Sequence, residues 1–254
     1  TYPDQIDAKM AYNIGAGMVR FLSAKRLVVG RDMRTMAPEI QDAVIQGMLE
    51  QGCDVIDIGL ASTPMVYYAI GKLPCDGGMV VTASHNPKEY IGFKMCKQEA
   101  RPLSGDNGIK DIEKLALAGN FTKAVRHGKR DFVDVKADWI AHIANFAKGI
   151  APMTICVDYA NGMGANESPA IFNKIPGLKV VPLYEQLDGI PEDASFVSMP
   201  FDMERMAPFV ETTLERVPIA TQVGIRTLFC GPESFTPDHL PKVGEAPRIR
   251  GYFV

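Results

Sequence analysis

Thr82-Ala83-Ser84-His85-Asn86-Pro87 brings a hydroxyl, an imidazole and an amide into one short polar stretch. A serine hydroxyl can carry a phosphoryl group, which adds a dianion rich in acceptors and needs donors close by. His85 and Asn86 can point such donors at an anion, while Pro87 fixes the chain's exit and withholds its own N–H. Just before them, Gly77-Gly78-Met79-Val80-Val81 is a small, apolar run bounded by glycines and predicts a buried strand. Ser84 is then expected where a strand ends and the backbone turns to solvent, although an ordinary polar loop has the same composition.

Cations flank this stretch. Lys94 lies on a strand expected over residues 91 to 96, which returns from the serine loop and should run beside the strand leading into it. There it could neutralise a phosphoryl group in transfer, or simply discourage aggregation at a strand edge. Arg31 and Arg34, in Gly30-Arg31-Asp32-Met33-Arg34, leave an expected strand over 27 to 30. Both a solvated charged turn and a bidentate grip on an oxyanion fit those residues. His127 and His142 lack metal-ligand spacing, and Asn161-Gly162-Met163-Gly164 lacks both the third glycine of a dinucleotide loop and the Lys-Ser/Thr of a P-loop.

The elements that must hold these groups alternate between helix and strand. Ile6, Met10, Ile14, Met18 and Phe21/Leu22 recur at helical spacing over 4 to 23. A second helix is expected over 37 to 51, with Pro38 in its first turn and Gly52 as its stop. A strand over 54 to 59 precedes Thr63-Pro64, which suit an N-cap and first helical position. Helices over 105 to 117 and 131 to 148 follow, joined by a solvated basic stretch that includes Lys123, Arg126, Lys129 and Arg130. From Met153 a strand, a glycine turn, a helix near 166 to 174 and a strand at 178 to 183 make one βαβ unit. The alternation predicts an α/β fold, a three-layer αβα sandwich whose ligands gather beyond the strand ends.

The net charge of −3 over 254 residues supplies no global basic field, so neither nucleic acid nor an acidic membrane is expected as a partner, and any anion site must be local. The basic stretch has no interleaved aromatics, which also argues against a nucleic-acid patch. Cys53, Cys75, Cys96, Cys156 and Cys230 show no CxxC spacing, and the reading is reduced core thiols in a cytoplasmic protein. No apolar run reaches the length of a membrane span.

Beyond these residue-level readings, Thr82 to Pro87 resembles the phosphoserine loop of the α-D-phosphohexomutase family, the phosphomannomutases and phosphoglucomutases. Gly30 to Arg34, Asp57-Ile58-Gly59 with Thr63-Pro64, Gly92-Phe93-Lys94 and Val157 to Gly164 resemble that family in order and spacing, over residues 1 to 188. The resemblance implies a mixed sheet in a first domain over 1 to 150 and the start of a second over 151 to 188. It implies Ser84 as phosphoryl carrier, His85 and Lys94 as electrostatic or acid-base helpers, Arg31 and Arg34 in a structural and electrostatic role close to the serine loop, and Arg31, Arg34, Thr82 and Asn86 about the phosphate. It further implies a hexose phosphate as substrate, with Mg2+ reaching the site through the phosphate on Ser84.

The family's Asp-x-Asp-x-Asp metal loop is not found in the sequence, nor are its sugar-selecting and phosphate-gripping loops, so turnover by this chain alone is not expected. Residues 189 to 254 instead resemble a C-terminal segment of the flavin-dependent dimethylglycine and sarcosine dehydrogenases. Gly231-Pro232-Glu233-Ser234-Phe235-Thr236-Pro237-Asp238 carries that likeness, and the two resemblances together imply a chimera. FAD binding is not expected, because no Gly-x-Gly-x-x-Gly is present to hold a pyrophosphate. A lone βαβ element leaves sheet edges open, through which self-association is conceivable.

Overall fold

The computed structural model describes residues 1–188, so the flavoprotein-like reading of 189–254 lies outside the described residues. Helix α1 (Ala8–Leu22) begins later than its apolar spacing suggests, because Asp7 stops the chain there: its carboxylate accepts the Met10 N–H at 2.7 Å as an N-cap. Strand β1 (Arg26–Arg31), helix α2 (Ala37–Glu50), strand β2 (Asp54–Leu60), helix α3 (Thr63–Lys72) and strand β3 (Gly77–Val81) follow in alternation. Ser62, rather than Thr63, caps α3, accepting the Met65 N–H at 3.3 Å. Strands β4 (Phe93–Lys97) and β5 (Arg101–Pro102) come next, then an irregular turn over Gly105–Ile109 and helix α4 (Lys110–Ala118). The helix expected over 131 to 148 is two elements: strand β6 (Arg130–Phe132) and helix α5 (Lys136–Ala144).

One six-stranded sheet runs in the order β5-β4-β3-β1-β2-β6. It is mixed: β1 pairs in parallel with β2 and β3, β2 with β6, while β3–β4 and β4–β5 are antiparallel. Successive side chains of β1 enter opposite cores, Leu27 and Val29 joining residues of α1 and α2, Val28 joining residues of α3 and α5. Helices therefore cover both faces of the sheet, and β3 is buried along its whole length.

On one face α1 and α2 approach closely enough to need glycine on both sides. A Cβ at Gly15 would run into the Val44 carbonyl oxygen, and one at Gly47 into that of Tyr12. This places Ala11, Gly15, Met18 and Val19 in the buried face of α1, leaving Met10 and Ile14 only half-buried.

The basic stretch ahead of β6 is pinned, not merely solvated. Arg126 pairs with Asp54 at 2.6 Å, and Arg130 binds Asp57 at 2.7 Å and Asp42 at 2.8 Å. Those ion pairs draw residues 130–132 onto the sheet's edge. Beyond α5, strand β7 (Met153–Asp158), helix α6 (Gly164–Phe172) and strand β8 (Leu178–Leu183) form the expected βαβ unit, its strands parallel. Its helix leans back on α5, where Lys136 Nζ donates to Asn166 Oδ1 at 3.1 Å. Cys156, expected among core thiols, is exposed on β7, whereas Cys53, Cys75 and Cys96 are buried.

Candidate active site

Ser84 stands at the exposed start of the loop between β3 and β4, three residues past the last residue of β3, Val81. Its backbone is left-handed, with φ 59°. That conformation costs a non-glycine residue about 1 kcal/mol or more unless its surroundings enforce it. They do here. Thr82 Oγ1 accepts the Ser84 N–H at 2.9 Å, the Asn86 N–H returns to the Ala83 carbonyl at 3.1 Å, and Asn86 Nδ2 donates to the same carbonyl at 2.8 Å.

Two side chains meet the serine hydroxyl. Lys94 Nζ donates to Ser84 Oγ across 3.4 Å, and His85 Nδ1 lies 3.4 Å from the same oxygen, as donor or acceptor according to its tautomer. Both distances exceed those of a tight hydrogen bond, so the hydroxyl is attended without being immobilised. Lys94 is there because β3 and β4 are antiparallel and set it opposite Val80. A fixed cation beside an exposed nucleophilic oxygen is the arrangement that stabilises charge on a group arriving at that oxygen.

The remaining candidates take other roles. Arg34 is a correction: it is 1% exposed, and its guanidinium faces the protein. Nη1 donates to the carbonyls of Pro87 at 2.7 Å and Tyr90 at 3.2 Å, and Nη2 to those of Ser84 at 3.1 Å and Asn86 at 2.6 Å. Donors committed to the loop's own backbone are not available to a phosphate. Thr82 is likewise buried, and its hydroxyl oxygen serves the Ser84 backbone. Asn86 is exposed, but its amide N–H folds onto Ala83. Arg31 is half-buried at the end of β1, in register with Val81, and donates from Nη1 to the Asp32 carbonyl at 3.2 Å.

Asp32 is the residue that sequence reasoning passed over. It is 4% exposed, accepts the Arg34 N–H at 3.0 Å through Oδ1, and holds Arg34 Nε at 3.3 Å from Oδ2. Burial pushes its carboxyl pKa up, against hydrogen bonds from the Thr82 hydroxyl and Arg34 that pull it down. Its place between two arginines was the signal available. Tyr2 also touches the loop, donating its N–H to the Glu89 carbonyl at 2.9 Å. Among the described residues no group of three or more His, Cys, Asp or Glu could hold a metal ion. Among the same residues, no helix is long and apolar enough to cross a membrane.

Comparison with known proteins identifies the domain that carries this loop. Residues 2–123 match the family model for phosphoglucomutase/phosphomannomutase, alpha/beta/alpha domain I. A phosphomannomutase from Klebsiella pneumoniae is 41% identical over 118 residues, which cover 46% of this chain and 75% of that protein. The phosphomannomutase of Escherichia coli K12 is 32% identical over 163 residues, covering 63% of this chain and 36% of that enzyme. The chain thus spans little more than a third of that relative's length. Among solved structures, a phosphoglucomutase/phosphomannomutase family protein from Burkholderia thailandensis aligns with a TM-score of 0.66 at 26% identity, covering 84% of this chain and 48% of that one.

Proposed function

This chain belongs to the phosphoglucomutase/phosphomannomutase family, and on that premise we propose that it presents Ser84 as the phosphoryl carrier of a hexose-phosphate mutase. The observation that carries the reading is the exposed Ser84 hydroxyl with the Lys94 ammonium and the His85 imidazole each 3.4 Å away. In the reaction proposed, phosphoserine gives its phosphoryl group to a free hydroxyl of a hexose phosphate, and the resulting bisphosphate returns its other phosphoryl group to the serine. One P–O bond breaks and one forms in each half, so the serine ends as it began. Lys94 offsets the negative charge on the oxygens in transfer. His85 can accept the hydroxyl proton or return it.

The resemblance brings a magnesium ion to this site through the phosphate on Ser84, and no step is assigned to one here. Residues 189–254 keep in this reading their likeness to a C-terminal segment of the flavin-dependent dimethylglycine and sarcosine dehydrogenases. The test is incubation with glucose 1,6-bisphosphate, followed by intact mass and phosphopeptide mapping. One phosphoryl group on Ser84, absent from Ser84→Ala, is expected. Label on another residue, or none, overturns the reading.

A further inference from the structure

We propose that the Asp32–Arg34 ion pair is the positioning device of the serine site, holding Ser84 by both of its backbone groups. The proposal rests on the reading of Ser84 as phosphoryl carrier. From one side, the Ser84 carbonyl accepts from Arg34 Nη2 at 3.1 Å. From the other, the Ser84 N–H is held at 2.9 Å by Thr82 Oγ1, on a side chain that lies close enough to the Asp32 carboxylate to pull its pKa down. Asp32 and Arg34 are themselves joined twice, at 3.0 Å through the Arg34 N–H and at 3.3 Å through Nε. The left-handed φ of 59° at Ser84 is therefore fixed from within the protein by one buried pair.

The rest of the loop is turned by the same cation. Carbonyls of Ser84, Asn86, Pro87 and Tyr90 all point at the Arg34 guanidinium. In a planar trans peptide the N–H points opposite to the carbonyl. Turning the Ser84 and Pro87 carbonyls inward thus aims the amides of His85 and Lys88 outward. Without the guanidinium these carbonyls would crowd one buried spot with no donor, and the cheapest relief is a flipped peptide that carries Ser84 out of its conformation. A lysine ammonium cannot substitute, since its compact head lacks the planar fork that reaches so many acceptors at once. Arg34 is accordingly a positioning residue, acting on the reacting hydroxyl through the backbone.

The experiment compares the full chain with Arg34→Lys, Arg34→Gly and Thr82→Val. Labelling of Ser84 by glucose 1,6-bisphosphate and hydrogen exchange of residues 83–92 are followed together. Thr82→Val leaves the buried charges paired and keeps the question answerable if an Arg34 variant fails to fold. Arg34→Lys is expected to slow labelling about 100-fold, the scale of a misplaced reacting group, and to speed exchange in 83–92 while the rest of the sheet stays protected. Thr82→Val should slow labelling to a lesser degree. Free methylguanidinium, but not methylammonium, should restore part of the rate to Arg34→Gly. Labelling of Arg34→Lys and Thr82→Val at the unsubstituted rate, or unchanged exchange in 83–92, overturns the proposal. If the unsubstituted chain takes no label at Ser84, the carrier reading falls alone, and the exchange result still decides what Arg34 does.

Discussion

Lys94 stands opposite Val80 across the antiparallel β3–β4 pair, and that register delivers its ammonium to within 3.4 Å of the Ser84 hydroxyl. The lysine's reach is thus set by strand pairing rather than by the loop. Lys94→Met keeps a stem of similar length and removes the charge. Phosphoryl transfer to Ser84 should fall about 10²- to 10³-fold, the usual cost of losing one fixed electrostatic donor. Stability should move by less than about 0.5 kcal/mol, as expected of a side chain outside the core. Rates from phosphopeptide mapping and a denaturant titration check the two halves; a large stability loss with unchanged rate would reverse the assignment.

The α1–α2 contact offers a test of packing away from the site. Gly15→Ala and Gly47→Ala each place a methyl against a carbonyl oxygen of the facing helix. Each should destabilise by about 1 to 3 kcal/mol, the range for overpacking a close contact. The double substitution should cost less than the sum, because separating the helices once relieves both clashes. Urea midpoints of the single and double variants measure this, and strict additivity would contradict a shared interface.

Glu167, on α6, is 5% exposed. Burial pushes its carboxyl pKa up from the ordinary value, opposed by the neighbouring Ser62 and Trp139 side chains and by the charge of Lys136. The folded chain therefore holds this proton more tightly than the unfolded chain does. The stability it contributes is complete below the unfolded carboxyl's range, near pH 4, and is lost as pH rises through the elevated folded value. Glu167→Gln should remove this loss, leaving the variant with a flatter melting profile and a relative gain toward neutral pH. Parallel melting curves for both proteins across that window would contradict the assignment.

Thiol reactivity separates the cysteines. Burial, with smaller contributions from Asp76 and Asp54, pushes the Cys53 thiol up to about 12, and burial raises Cys75 and Cys96 as well. Cys156 is exposed on β7. Iodoacetamide on the native chain should alkylate Cys156 well ahead of those buried thiols, since among the described cysteines it is the one whose sulfur the reagent can reach. Peptide mapping reads the order, and early modification of Cys53 would mean that the sheet core is open.

Local signals carried much of the architecture. The glycine-bounded run 77–81, the apolar runs of β1 and β2, and the proline in the first turn of α2 are effects of a few adjacent residues, so the alternating elements and the exposed serine beyond β3 were legible before any contact was known. Where a boundary moved, a neighbour won: Ser62 rather than Thr63 capped α3, and Asp7 delayed α1. The strand at 130–132 could not be read locally, because Arg130 is drawn to the sheet by carboxylates 73 and 88 residues away.

The site divides in the same manner. The residue types at 82–87 announced an exposed hydroxyl with donors beside it, and the sequence alone supported that. Whether Arg34 faced a ligand or the protein was decided by carbonyls 50 to 56 residues further along the chain. A guanidinium suits an oxyanion and a ring of backbone carbonyls equally well. Only the folded path of the loop, which brings those carbonyls around a buried cation, determined which of them it holds.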